Sequence, residues 1–212
     1  FAAHLWMRSP DGGLAALAYA PCAIRTDVQD VPVQIDLATD YPFAGELHLS
    51  IQAERPIRFP LRLRIPSWAE GAEVQIDGAE AVAAPAGMFH TIEREWDAKT
   101  TEVVVRLPLR VRLARRFNDS ISIYRGPLLY GLKIDEDWRQ VAGELPHADW
   151  EVYPASAWNY ALALDPDQPG DAITFTTESV GAQPFSPEHA PVSAQVKGRR
   201  VPAWELAHNA AA

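Results

Sequence analysis

The chain has 212 residues and 23.4 kDa, enough for one large or two small domains at about 100–200 residues each. With 48% hydrophobic and 22% charged residues it can bury a core unaided, which excludes wholesale disorder. The 19 basic and 28 acidic residues leave a formal charge of −9, against nucleic acid or any other polyanion as a general partner.

In chain order, the opening FAAHLWM reads as the last turns of an amphipathic helix, a stump over residues 1–9. Phe1, Leu5 and Trp6 are expected to be exposed or covered by a partner. From there the dominant period is two. Val33, Ile35 and Leu37 alternate with polar residues, as do Leu47, Leu49 and Ile51. Phe59, Leu61, Leu63 and Ile65 oppose Arg58, Arg62 and Arg64, and Val74 and Ile76 repeat the pattern. Val103 to Leu113 alternates in the same way with Arg106, Arg110 and Arg112, and Ile121 and Ile123 follow. Successive side chains of a strand point to opposite faces, so each segment is a half-buried antiparallel strand.

Asp11-Gly12-Gly13 and Asp77-Gly78 are hairpin turns, because they accept positive φ. Pro66 and Pro108 mark strand ends, edges or bulges, since proline donates nothing to a ladder. Eighteen prolines exceed the usual share of about 5% and disfavour long helices. The predicted class is therefore all-β, an antiparallel β-sandwich over residues 10–130. After Gly126-Pro127 the alternation weakens. Residues 131–212 read as a second, loop-rich β region with an incomplete set of strands, the pieces being 150–153, 160–164 and 173–177. Asp135, Glu136 and Asp137 read as an exposed loop.

Templates for catalysis are missing. The sequence has no GxSxG, P-loop or GxGxxG motif, and no membrane-length apolar run. His4, His48, His90, His147, His189 and His208 show no metal-gathering spacing, and His48 falls on the polar face of its strand. Cys22 is the single cysteine, excluding a disulfide framework or a multi-cysteine zinc cage; among apolar neighbours it reads as inert. Glu93 and Glu95 share a strand face and could in principle form a glycosidase carboxyl pair, but solvated charges are the simpler reading. Among the seven tryptophans, Trp68 and Trp96 fall at strand ends and could stack on sugars, although packing is the plainer role. The series Arg106, Arg110, Arg112, Arg115 and Arg116 reads as a wet strand face paired with acidic neighbours.

Several segments in fixed order carry a resemblance. FAAHLWMRSPDGGLAALAYAPC, LATDYPFAGELHLSI, LRLRIPSWAEGAEVQIDG, IEREW and ISIYRGPLLYGLKID are similar to the carboxy-terminal half of glycoside hydrolase family 127, the β-L-arabinofuranosidase-like proteins. DWEVYPASAWNYAL, QPFSPEHAPV and KGRRVPAWEL resemble the same family. The resemblance implies an (α/α)6 catalytic barrel joined to β-sandwich domains. In that barrel a cysteine thiolate beside zinc attacks the anomeric carbon and a glutamate serves as acid/base. The family's vicinal cysteine pair precedes the segment matching FAAHLWM, so no catalytic or metal residue carries over, and Cys22 does not inherit the nucleophile's role. The family also continues with further strands past the position of Ala212.

The expectation is thus a non-catalytic accessory β-sandwich of a glycoside hydrolase acting on plant-derived carbohydrate. Its expected partner is the catalytic barrel, with zinc confined to that barrel and no membrane or nucleic-acid role. The isolated chain should neither bind zinc tightly nor cleave aryl arabinofuranosides. Two alternatives are a carbohydrate-binding module using exposed tryptophans and an autonomous carboxylate-dependent glycosidase.

Overall fold

The computed structural model describes residues 2–207 and 210–211. Phe1 and His208, named above, lie outside the described residues. The chain divides into two units: Phe1–Arg112 with Tyr124–Leu128 and Glu178–Val192, and Leu113–Ile123 with Leu129–Thr177 and Ser193–Ala212.

The first unit is the β-sandwich. Its strands are β1 (Trp6–Arg8), β2 (Leu14–Ala16), β3 (Cys22–Val28), β4 (Val31–Ala38), β5 (Glu46–Ala53), β6 (Ile57–Arg64), β7 (Ala72–Ile76), β8 (Val82–Ala84), β9 (Phe89–Trp96) and β10 (Thr101–Arg106). They form a four-stranded sheet, order β1-β2-β6-β9, and a six-stranded sheet, order β3-β4-β5-β10-β7-β8. Pairing is antiparallel except between β2 and β6, where Leu14 to Ala16 run parallel to Leu61 to Leu63. Pro60 lies one residue outside that parallel stretch, so its missing N–H leaves the β2 ladder intact.

The alternating residues close the core as their parity requires. Leu47, Leu49, Leu61, Leu63, Val74, Val103 and Val105 are all fully buried, and one cluster joins residues of both sheets. Each such side chain contributes about 1.5–3 kcal/mol of transfer free energy. Trp96 stacks on Phe59 at 5.5 Å between centroids and donates its indole N–H to the Phe59 carbonyl at 2.9 Å. A buried indole thus keeps its hydrogen bond. Asp77 and Gly78 both take positive φ between β7 and β8, as expected. Gln29 and Asp30 make an equivalent left-handed turn between β3 and β4 without a glycine. The run from Val103 to Leu113 is broken at Pro108, between β10 and β11 (Val111–Arg115).

The amino terminus corrects the predicted helix. Only Ala2–His4 is helical, as a single 3₁₀ turn; Trp6–Arg8 form β1 and pair with β2. Leu5 is 8% exposed and its carbonyl accepts the Leu17 N–H at 2.8 Å, while Trp6 packs against the core. The expectation that Leu5 and Trp6 would lack cover within the chain therefore fails. Ladder bonds to β2 and the burial of Leu5 outweigh a local helical preference over so few residues.

Strands β11, β12 (Ile121–Arg125) and β13 (Leu128–Tyr130) form a three-stranded sheet. The second unit holds the hairpin of β14 (Glu136–Ala142) and β15 (Asp149–Pro154). It also holds the pair of β16 (Tyr160–Leu162) with a strand at Gly198–Arg200, and the strand Ile173–Thr177. Among its described residues only Asn159 and Ile173 are buried. Asn159 bridges to the carbonyls of Val201 and Trp204 at 3.1 and 3.2 Å.

Candidate functional site

The outer face of the six-stranded sheet is a continuous polar surface. Arg25 and Gln34 donate to Asp36 at 3.3 and 2.5 Å, Ser50 donates to Glu102 at 2.9 Å, and Gln52 bonds Thr100. Arg106 donates to Glu46 at 3.2 Å and to Gln75 at 3.1 Å. The Gln34 amide and Arg25 together hold the Asp36 carboxyl below the ordinary carboxylate range. His48 is exposed here, 3.4 Å from Glu46. Charges on this face pair with one another across strands, an arrangement that water and neighbouring side chains satisfy.

The arginine series does not form the single strand face expected of it: Arg106 ends β10, Arg112 and Arg115 lie on β11 in another sheet, and Arg110 and Arg116 lie outside both strands. Arg106 meets Glu46, Arg110 lies 4.0 Å from Glu70, and Arg115 lies 3.5 Å from Asp119. Arg112 sits over the Tyr124 ring at 5.1 Å. On the four-stranded sheet Arg62 grips both oxygens of Asp11, one at 2.8 Å, and this bond holds the Asp11 carboxyl far below its usual range.

Glu93 and Glu95 are both exposed on β9, opposite Pro60 and Arg58. Two open clefts of the first unit leave them out: one runs along Arg25, Gln34 and Gln52, the other along Met7, Asp11, Arg62 and Phe89. A general acid needs an environment that raises its affinity for the proton, and exposed β9 supplies none. Asp135 to Asp137 are a partial correction, because Glu136 and Asp137 lie in β14 rather than in a loop.

Cys22 opens β3 half-buried, with burial pushing its thiol up despite the nearby Trp6 indole N–H. A zinc ligand needs a thiolate and companions. Among the described residues no three His, Cys, Asp or Glu side chains gather to hold a metal ion, so the residues here do not fit the zinc centre that the family resemblance implies. No described helix is long and apolar enough to cross a membrane.

The tryptophans divide sharply. Trp96 is fully buried, so it is no sugar platform, and Trp68 packs partly buried against the core. Trp138 and Trp150, which had not been singled out, are 56% and 43% exposed on the β14–β15 hairpin. Glu136, Trp138 and Gln140 share one face with Trp150, Val152 and Pro154, by the pairings Trp138 with Val152 and Gln140 with Trp150. The two indoles meet edge to face, 6.2 Å apart at 73°. The Trp138 N–H donates to Glu136 at 2.7 Å, and the Gln140 amide N–H donates to the Gly143 carbonyl at 2.7 Å. On the opposite face Arg139 bonds Asp137 at 2.6 Å and lies 4.3 Å over Tyr153, whose hydroxyl donates to Glu151 at 2.6 Å. Both faces of this hairpin are open to solvent. The available signal was the sequence neighbourhood: charged residues flank each of these indoles, Asp137 and Arg139, then Asp149 and Glu151.

Known proteins place this architecture. Residues 13–109 match the family profile of the β-L-arabinofuranosidase GH127 middle domain. The crystal structure of Ara127N-Se, a GH127 β-L-arabinofuranosidase from Geobacillus stearothermophilus T6, is 19% identical with a TM-score of 0.53, over 72% of this chain and 31% of that one. The GH127 β-arabinofuranosidase BT3674 is 16% identical with a TM-score of 0.51, over 76% of this chain and 30% of that one. At these identities the likeness is one of fold. The chain spans less than a third of the length of either structure. No curated protein matches it. Over residues 13–109, just under half of its length, the chain is similar to the middle domain of glycoside hydrolase family 127.

Proposed function

We propose that this chain is the non-catalytic β-sandwich part of a β-L-arabinofuranosidase-like glycoside hydrolase acting on plant-derived carbohydrate, where it supports an (α/α)6 catalytic barrel borne elsewhere in the parent protein. The observation that carries this reading is the match of residues 13–109 to a middle domain of that family, combined with what those residues do. They fill a core, pair charges across strands and place Glu93 and Glu95 in open solvent. Hydrolysis of a glycoside needs a nucleophile or activated water and an acid with matched proton affinities. The matched segment holds side chains suited to scaffolding. The glutamates of β9 and the lone, raised thiol of Cys22 weigh against an autonomous carboxylate or cysteine mechanism.

The test uses the gene and the parent protein. The reading frame containing this chain should encode, upstream of it, a helical barrel with a vicinal cysteine pair. Deleting residues 13–109 from that parent should abolish soluble, folded enzyme, while point changes at Glu93 and Glu95 leave its turnover unchanged. A frame without the barrel, or a parent whose turnover falls a hundredfold with Glu93→Gln, overturns the proposal.

A further inference from the structure

We infer that the Trp138–Trp150 face of the β14–β15 hairpin is a binding site for neutral oligosaccharide. This stands independently of the scaffold reading above. Three observations carry it. The first is exposure: Trp138, Trp150 and Val152 keep 56%, 43% and 47% of their surface on a hairpin with no cover on either face. Two neighbouring indoles exposed to this degree make an apolar surface patch, and sugars are ligands whose axial C–H faces stack on indole rings. The second is the chemistry at the ring edges. Trp138 sits between Glu136 and Gln140, two residues away on either side and therefore on the same face. Glu136 spends one acceptor site on the Trp138 N–H, and Gln140 spends one of its two amide N–H groups on Gly143. What remains is acceptor capacity on the carboxylate and on the amide oxygen, with one amide N–H, which suits a ligand whose hydroxyls both donate and accept. The edge-to-face indoles form a corner of 73°, one ring a floor and the other a wall for a single sugar residue.

The third observation is charge. Residues 135–155 hold Asp135, Glu136, Asp137, Glu144, Asp149 and Glu151 against Arg139 alone. Arg139 is already held by Asp137 and Tyr153 on the opposite face. This field repels uronates, sulfated sugars and phosphate, and accepts an uncharged polyol.

The experiment is titration of the full chain with arabinohexaose, xylohexaose, cellohexaose and hexagalacturonate, read by tryptophan fluorescence and calorimetry. At least one neutral hexasaccharide should give saturable binding, weakened tenfold or more by Trp138→Ala and by Trp150→Ala, and severalfold by Glu136→Gln. Circular dichroism and melting temperature should not move, since these side chains are exposed. Hexagalacturonate should give no saturable signal. Absence of saturable binding to all three neutral sugars overturns the inference. So does binding that survives both alanine changes, or stronger binding to hexagalacturonate. Self-association that is lost in the tryptophan variants without any sugar response would assign the face to protein contact and overturn it as well.

Discussion

The two units are built from the same kind of strand and treat their apolar side chains in opposite ways. In the first, residues such as Leu47, Leu61, Val74 and Val103 are fully sealed between sheets of four and six strands. In the second, the described residues seal only Asn159 and Ile173, while Leu132, Val141, Leu145, Trp138 and Trp150 face solvent. The difference lies in the number of strands that share a core. A two-stranded hairpin has no second layer to cover either face, and is at best marginal by itself in water. A sandwich gives each strand one dry face and leaves the other for charge pairing. The first unit is therefore where stability resides, and the second is where side chains are presented.

That contrast can be broken by substitution. The largest expected effect is Trp96→Ala, which removes the stacked indole and its hydrogen bond to the Phe59 carbonyl. It should cost about 3–5 kcal/mol in urea unfolding. Gly45→Ala comes next, because a Cβ there would lie 2.2 Å from the Leu107 carbonyl oxygen. The backbone at Leu107, just past β10, has to move, at about 1–3 kcal/mol, readable as a lowered melting temperature. Gly78→Ala meets nothing within 4 Å, yet its φ of +72° costs about 1–2 kcal/mol from backbone alone. In the hairpin, Val152→Ala should stay within about 0.5 kcal/mol by the same denaturation, since its side chain is already half in water. A hairpin variant as damaging as Trp96→Ala would show that the second unit has a core after all.

The smallest effect is electrostatic and sharpens the contrast within the first unit. Arg62 holds the Asp11 carboxyl below its unfolded value of about 3.9. The folded state therefore binds that proton more weakly, so the pair's contribution is present above about pH 4 and fades as pH falls further. The stability gap between the native chain and Asp11→Asn, measured by denaturant titration, should be small at pH 6 and narrow below pH 4. The partial exposure of the pair to solvent keeps it small.

Much of the sandwich was legible because period two leaves a long trace. Eight-residue strands such as β5 and β6 offer four inward positions each, enough to fix parity. Trp96 follows the inward parity of Ile92 on β9, so its burial could be read from spacing. Three bulky residues, Leu5 to Met7, carry no period, and their strand is decided by β2, a partner that short-range patterns do not reveal. Glu136 and Asp137 looked like loop for a related reason. A strand wet on both faces has no alternation to show. The same absence of pattern hid Trp138 and Trp150, whose exposure is set by how few strands surround them.

The most direct test of the scaffold assignment is the rate of p-nitrophenol release from p-nitrophenyl β-L-arabinofuranoside by the purified chain, with and without added zinc. The assignment predicts a rate equal to the enzyme-free blank in both conditions. Turnover above that blank, abolished by Cys22→Ser or by Glu93→Gln, would contradict it.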